Sequence, residues 1–159
     1  MITIAEGGQP MTDQAGIAAK RLAQCACGSL RAEVTGEPLR VIMCFCEQCQ
    51  RRTGSVFGLS TYWMRQNATV SGPFTLYTRK GQSGNNVTFY FCPTCGSTVC
   101  WDLGRRPGEL GIAGGAFFDP NFPAPTWSVW EQSRHDWVHI PIPASRRFPQ
   151  SPPPPPPSG

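Results

Sequence analysis

"FYFCPTCGSTVCW", residues 89–101, is the stretch whose reading decides the fold. Aromatic and β-branched residues run up to a C-x-x-C pair, Cys92 and Cys95, and resume directly after it. Pro93 and Gly96 are the residues a tight knuckle needs, so the stretch reads as two strands joined by a turn that offers two thiolates to one metal ion. Such a knuckle requires a second thiol pair, and "CACG" at residues 25–28 is the natural donor. A site made of Cys25, Cys27, Cys92 and Cys95 would tie the first core strand to a late hairpin. Closing so long a loop restricts the unfolded chain, and metal binding adds its own free energy to folding.

The other thiols are Cys100 and the cluster "CFCEQC", residues 44–49. Alternation along a strand followed by one helical turn lets Cys44, Cys46 and Cys49 converge on one ion. The helix is expected at "EQCQRRT", residues 47–53, closed by Gly54. The cluster stops at three sulfurs, whereas zinc takes four ligands. Cys100 stands in "STVCW", where a strand cysteine reads as a small core residue. His135 and His139 lie late in the chain and would have to fold back. Two readings fit the spacing: a second structural site completed by Cys100 or a histidine, and a site whose fourth position is open to water or substrate. The open form is the mark of catalytic zinc, and a thiol bound there loses its proton.

Working outward, 159 residues suit one domain with a real core. Few charged residues and frequent Gly and Pro favour short strands joined by turns over long surface helices. "SLRAEVTG", "LRVIMC", "VFGLSTYW", "FTLYTRK", "VTFYFC", "STVCW" and "ELGIAGG" are the expected strands, and "GQSGNN" a hairpin connection. The expected organisation is a loosely ordered arm over residues 1–22, a zinc domain over 23–148 and a proline-rich tail over 149–159. "SPPPPPPSG" in that tail suits an extended, solvated polyproline segment, either a spacer or a ligand for a proline-recognising partner. The net charge of +4 is spread over scattered basic doublets, so nucleic-acid binding is not expected. No apolar run is long enough to span a bilayer and the N-terminus lacks a signal-peptide pattern, so no membrane partner and a reducing cytoplasm are expected. In that compartment clustered cysteines bind metal more often than they form disulfides.

Together these motifs resemble the family of glutathione-dependent formaldehyde-activating enzymes and centromere protein V. "CACGSLRAEVTGEP" is similar to the family's opening C-x-C-G strand and turn. "CFCEQCQRRTGSVF" is similar to its central C-x-C-x-x-C with a basic stretch and Thr-Gly, and "FYFCPTCGSTVCW" to its late F-C-x-x-C-G-S. "AGGAFFDP" and "SRHDWVHIP" resemble its later segments. The resemblance implies a mainly β, Mss4-like fold of short antiparallel strands stapled by two zinc ions. It implies a structural Zn2+ at Cys25, Cys27, Cys92 and Cys95 and a catalytic Zn2+ at Cys44, Cys46 and Cys49. The implied activity is condensation of glutathione with formaldehyde to S-hydroxymethylglutathione, formally a carbon–sulfur lyase acting in reverse. Arg51 and Arg52, directly after the central motif, are candidates for binding the carboxylates of such a substrate. Tyr62 and Trp63 are candidates for lining the pocket, with core packing the favoured expectation for both. Two positions depart from the family pattern, Phe45 where many members have His and Gln50 where Arg or Lys is frequent, and both are expected to alter the substrate pocket. The rival readings are a non-catalytic scaffold with two structural zincs and a thiol-based redox sensor. Oligomeric state is not legible.

Overall fold

Alternating side chains along nearly every apolar run build a β architecture in the computed structural model, which describes residues 19–152. In chain order the elements are β1 (Lys20–Gln24), β2 (Arg31–Thr35), β3 (Arg40–Cys44), α1 (Glu47–Thr53), β4 (Gly58–Met64), β5 (Ala68–Ser71), β6 (Thr75–Lys80), β7 (Asn86–Phe91), β8 (Thr98–Leu103), β9 (Glu109–Ala113) and β10 (Trp127–Val129). Strands β1, β2 and β5 form a small antiparallel sheet, with Ala23 opposite Ala32 and Ala32 opposite Val70. The other seven form a large sheet in the order β10-β3-β4-β9-β8-β7-β6. Its pairings are antiparallel except for β10, which joins β3 in parallel.

The core lies between the sheets. Ala23, Ala32, Val34 and Ala68 present small side chains from the small sheet, and Trp63, Cys100, Leu110 and Ile112 present larger ones from the large sheet. Full burial of an aliphatic side chain such as Leu110 or Ile112 contributes about 1.5–3 kcal/mol. The buried indole N–H of Trp63 donates to Thr61 Oγ1 at 2.9 Å, and that hydroxyl donates to the Ile112 carbonyl at 3.1 Å, so neither is left unpaired. A second cluster packs Met43 and Phe45 against Val138 and Ile142 of the C-terminal segment. One face of the large sheet thus closes the core, and its other face is left to build a site.

The expected helix falls on Glu47–Thr53, with Gly54 in the left-handed region (φ 64°) donating its N–H back to Gln50. All seven expected strands are present, and Gly81–Asn85 connects β6 to β7. Three short strands, β1, β5 and β10, were not expected. β1 begins at Lys20, so the end of the arm drawn to residue 22 belongs to a sheet: Leu22 pairs with Glu33. The rest of that arm, residues 1–18, lies outside the described residues. The tail boundary at 149 also shifts, because Pro149 and Gln150 accept backbone hydrogen bonds from Gln132 and Trp130. The proline run from residue 153 is outside the described residues. Among the described residues no helix is long and apolar enough to cross a membrane.

Candidate functional site

The eight cysteines, all free thiols, separate into two clusters and one core residue. Cys25 and Cys27 follow β1, and Cys92 and Cys95 occupy the connection from β7 to β8. Tight turns aim both pairs: the Gly28 N–H bonds the Cys25 carbonyl and the Gly96 N–H bonds the Cys92 carbonyl, each at 2.9 Å. All four sulfurs lie within 4.8 Å of one another. The Cys25–Cys27 and Cys27–Cys92 sulfur separations are 3.5 and 3.6 Å. Tetrahedral zinc with Zn–S bonds of about 2.3 Å sets its sulfurs about 3.8 Å apart, so the donor set and spacing fit that ion. The Ser29 hydroxyl lies 3.1 Å from Cys27 Sγ and 3.2 Å from Cys92 Sγ, and the Leu30 N–H donates to Cys25 Sγ at 3.2 Å. Hydrogen bonding with the side chain and backbone of Ser97 holds the Cys95 thiol down to about 5. Bridging β1 to the β7–β8 connection, this cluster fastens the small sheet to the large one.

The second cluster is local. β3 ends at Cys44, Cys46 caps the N-terminus of α1 by accepting the Cys49 N–H at 3.4 Å, and Cys49 lies one turn on. Their three sulfurs lie within 4.8 Å of one another, and among the described residues no fourth Cys, His, Asp or Glu joins them. This three-thiol donor set suits zinc as the first one does. Hydrogen bonds from the Cys44 and Cys49 thiols and from the Cys49 and Gln48 backbone amides outweigh burial and pull the Cys46 thiol far below the ordinary thiol range. Cys44 is pushed up correspondingly, chiefly by the same contacts with Cys46 and Cys49. The groups weighed as a fourth ligand lie elsewhere. Cys100 is fully buried in the core between the sheets, and both histidines are exposed.

Beside these sulfurs opens a cavity of about 370 Å³ whose floor is the free face of the large sheet. The floor follows strand periodicity: Trp127 and Val129 from β10, Arg40, Ile42 and Cys44 from β3, Ser60 and Tyr62 from β4, Trp101 and Leu103 from β8, Val87 and Phe89 from β7. β9 contributes no side chain here. Its residue facing both Tyr62 and Trp101 is Gly111, and a Cβ there would lie 2.0 Å from the Trp101 indole nitrogen. Only a bare backbone lets the indole lie across that strand. Gly58 does the same beside the sulfurs: a Cβ would stand 3.2 Å from Cys49 Cβ and 3.1 Å from the Arg52 guanidinium.

The cavity is cationic. Arg40, Arg52, Arg79, Arg105 and Arg106 line it, and among the described residues no carboxylate does. Arg40 and Arg106 pair with Glu109, outside the lining, while Arg52, Arg79 and Arg105 form no ion pair among the described residues. The Arg52 guanidinium stands 4.7 Å from the Trp101 ring centroid and 5.7 Å from that of Phe89, and its Nε is buried without a hydrogen-bond partner. An unpaired guanidinium braced by aromatic faces is preorganised for an anion.

The two arginine candidates therefore part company. Arg52 lines the cavity, whereas Arg51 does not: it is exposed, paired with Glu47 at 2.6 Å, and lines only a more open depression beside β6 that Arg52 also borders. Tyr62, expected in the core, lies on the cavity floor, and its neighbour Trp63 takes the core side because successive strand residues face opposite ways. Burial first, then the neighbouring Cys49 and Cys44 sulfurs, push the Tyr62 phenol up to about 12. The two departures from the family pattern do not alter the pocket lining. Phe45 is fully buried in the second hydrophobic cluster, 5.7 Å from the Phe57 ring. Gln50 donates to the Phe45 and Ser133 carbonyls at 2.8 and 3.1 Å, so it ties α1 to the C-terminal segment. Sequence reading missed Arg40, Arg79, Arg105, Trp101, Trp127 and Trp130 as lining residues. Periodicity from Cys44 places Arg40 and Ile42 on its face, but the others depend on register and long-range topology.

A family model described as glutathione-dependent formaldehyde-activating enzyme matches residues 20–133. A solved structure of a Rhodobacter sphaeroides protein is similar with a TM-score of 0.50 and 24% identity, covering 65% of this chain and 91% of that one. At that identity the likeness is one of fold. No curated protein matches the chain.

Proposed function

The chain belongs to the glutathione-dependent formaldehyde-activating enzyme family, and from that premise we propose that it adds a glutathione-like thiol to a small aldehyde such as formaldehyde, giving an S-hydroxymethyl adduct. The observation that carries this reading is the three-sulfur cluster beside a cavity with unpaired arginines. Cys44, Cys46 and Cys49 would hold zinc, a Lewis acid that keeps an incoming thiol deprotonated when bound there. The other cluster, Cys25, Cys27, Cys92 and Cys95, takes the structural role.

Arg52, Arg79 and Arg105 would receive the carboxylates of the thiol substrate, and bidentate guanidinium contacts would fix its orientation. A sulfur so placed attacks the carbonyl carbon; the S–C bond forms as the C=O π pair moves to oxygen. The alkoxide then takes up a proton, the equivalent of the one lost from the thiol. Tyr62 lies on the cavity floor and stays protonated at neutral pH, so its hydroxyl can donate to that oxygen. Water and formaldehyde are both small enough to share a cavity of this size with the thiol. A cytoplasmic location, where reduced glutathione is abundant, accords with this chemistry.

The test is the approach to equilibrium of glutathione and formaldehyde, followed by NMR exchange, with the intact chain carrying two zinc ions. The expected outcome is acceleration over the uncatalysed reaction. Full zinc loading with no acceleration for glutathione or any other thiol–aldehyde pair would leave the scaffold reading in its place.

A further inference from the structure

The family match ends at residue 133, yet the cavity wall continues beyond it. Ser151 and Pro152 line the cavity with Trp127 and Trp130, and both are half-buried although neither belongs to a strand or helix. A run of specific bonds places them there. The Arg147 side chain donates to the Glu131 carboxylate at 2.9 and 2.8 Å. The Phe148 N–H donates to the Ser128 carbonyl at 2.9 Å, and its ring stacks on Trp127 with centroids 5.3 Å apart and planes 23° apart. The Glu131 N–H returns to the Phe148 carbonyl at 3.1 Å, and the Trp130 N–H reaches the Gln150 carbonyl at 3.3 Å. Trp130 itself has φ 61°, a conformation that costs a non-glycine residue strain and persists only where surrounding contacts enforce it.

We infer that the strap formed by residues 147–152 is a specificity-determining wall of the thiol site: it holds Trp127 and Trp130 and, with Ser151 and Pro152, contacts the peptide body of the thiol. This rests on the reading of the cavity as a thiol site. The cavity's size supports it, since about 370 Å³ falls in the range that encloses a ligand of many atoms and far exceeds what an aldehyde of two heavy atoms needs. Its chemistry supports it too. The arginines supply charge recognition, while indole and proline faces at the strap supply flat apolar contact, which suits the methylene and amide body of a short peptide. The sulfurs, the arginines and both indoles lie within the family span, whereas Ser151 and Pro152 lie outside it. Discrimination between long and short thiols thus falls to this chain's own C-terminal segment.

Truncation after Gln150 tests this, because it removes Ser151 and Pro152 and leaves the Arg147, Phe148 and Gln150 clamp in place. Trp130→Gly is the companion variant: glycine adopts φ 61° without strain, so the backbone turn is kept while the indole is lost. Titration calorimetry on the zinc-loaded chain would compare glutathione with 2-mercaptoethanesulfonate, an anionic thiol that lacks the peptide body. The strap account expects the ratio of the glutathione Kd to the short-thiol Kd to rise about fivefold or more in each variant, the effect of losing one packed wall contact. A ratio unchanged in both variants, with both thiols still binding, would overturn the strap and leave the thiol site standing. Failure of the intact chain to bind either thiol would instead overturn the thiol-site reading, and the strap with it.

Discussion

The two sulfur clusters are built from the same side chain, and where their cysteines come from in the chain separates them. Cys25 and Cys27 stand more than sixty residues from Cys92 and Cys95, and each pair belongs to a different sheet. Cys44, Cys46 and Cys49 span six positions at one strand-to-helix junction. Holding distant elements together restricts the unfolded ensemble, whereas clipping a junction that is already local adds little in that respect. The first cluster supplies four sulfurs with serine hydroxyls around them. The second supplies three, beside an arginine-lined cavity. On the proposed reading, the four-sulfur set, which does not line the cavity, would serve stability, and the three-sulfur set beside it would serve chemistry.

The largest expected effect comes from breaking the first site. Cys92→Ser removes a fully buried sulfur of the cluster that bridges the sheets, and should lower stability by on the order of 5 kcal/mol or abolish cooperative unfolding. Circular dichroism during heating would show it, and a melting curve close to that of the parent would erase the distinction between the clusters. Cys46→Ser should do the reverse. Metal analysis should fall from two ions per chain to one, activity should drop by about a thousandfold or more, and the melting temperature should move by only a few degrees. Unfolding of that variant would mean that both clusters are structural.

Smaller effects separate the neighbouring arginines. Arg52→Met removes the braced, unpaired guanidinium and should raise KM for glutathione about tenfold, the usual weight of a charge-assisted contact. Arg51→Met removes an exposed i,i+4 pair with Glu47 and should change KM by less than about twofold. Equal effects of the two substitutions would contradict the assignment of the cavity as the substrate site. Gly58→Ala is the mildest test. Its methyl would crowd Cys49 Cβ and the Arg52 guanidinium at 3.2 and 3.1 Å, so kcat/KM should fall about fivefold, with about 1 kcal/mol lost from stability. A gain in activity would mean that neither neighbour needs its present position.

Much of this architecture is legible in the sequence. Strong alternation marked seven strands, and Gly54 closed α1 where the helix ends, because both signals are local. β1, β5 and β10 escaped notice: they are short, and their pairing partners lie far along the chain. The grouping of the cysteines was legible because knuckle spacing is itself a coordination constraint. The cavity was not. Tyr62 and Trp63 are adjacent in sequence and alike in composition, and only the strand register sends one to the cavity and the other to the core. Trp101 reaches the cavity because β9 carries Gly111 opposite it, a pairing between distant positions that no local pattern announces. Phe45 looked like a pocket substitution because it stands between two ligands, but at that strand end its side chain turns into the second hydrophobic cluster.

The central claim, that the Cys44, Cys46 and Cys49 site accepts a fourth sulfur from outside the chain, is open to one direct optical measurement. Cobalt replacing zinc reports each bound thiolate through sulfur-to-metal charge transfer. Adding glutathione to the cobalt-loaded chain should strengthen that absorption, and the increment should vanish in Cys46→Ser while the signal of the four-sulfur site remains. A spectrum that does not change with saturating glutathione, or one that changes equally in Cys46→Ser, would contradict the account.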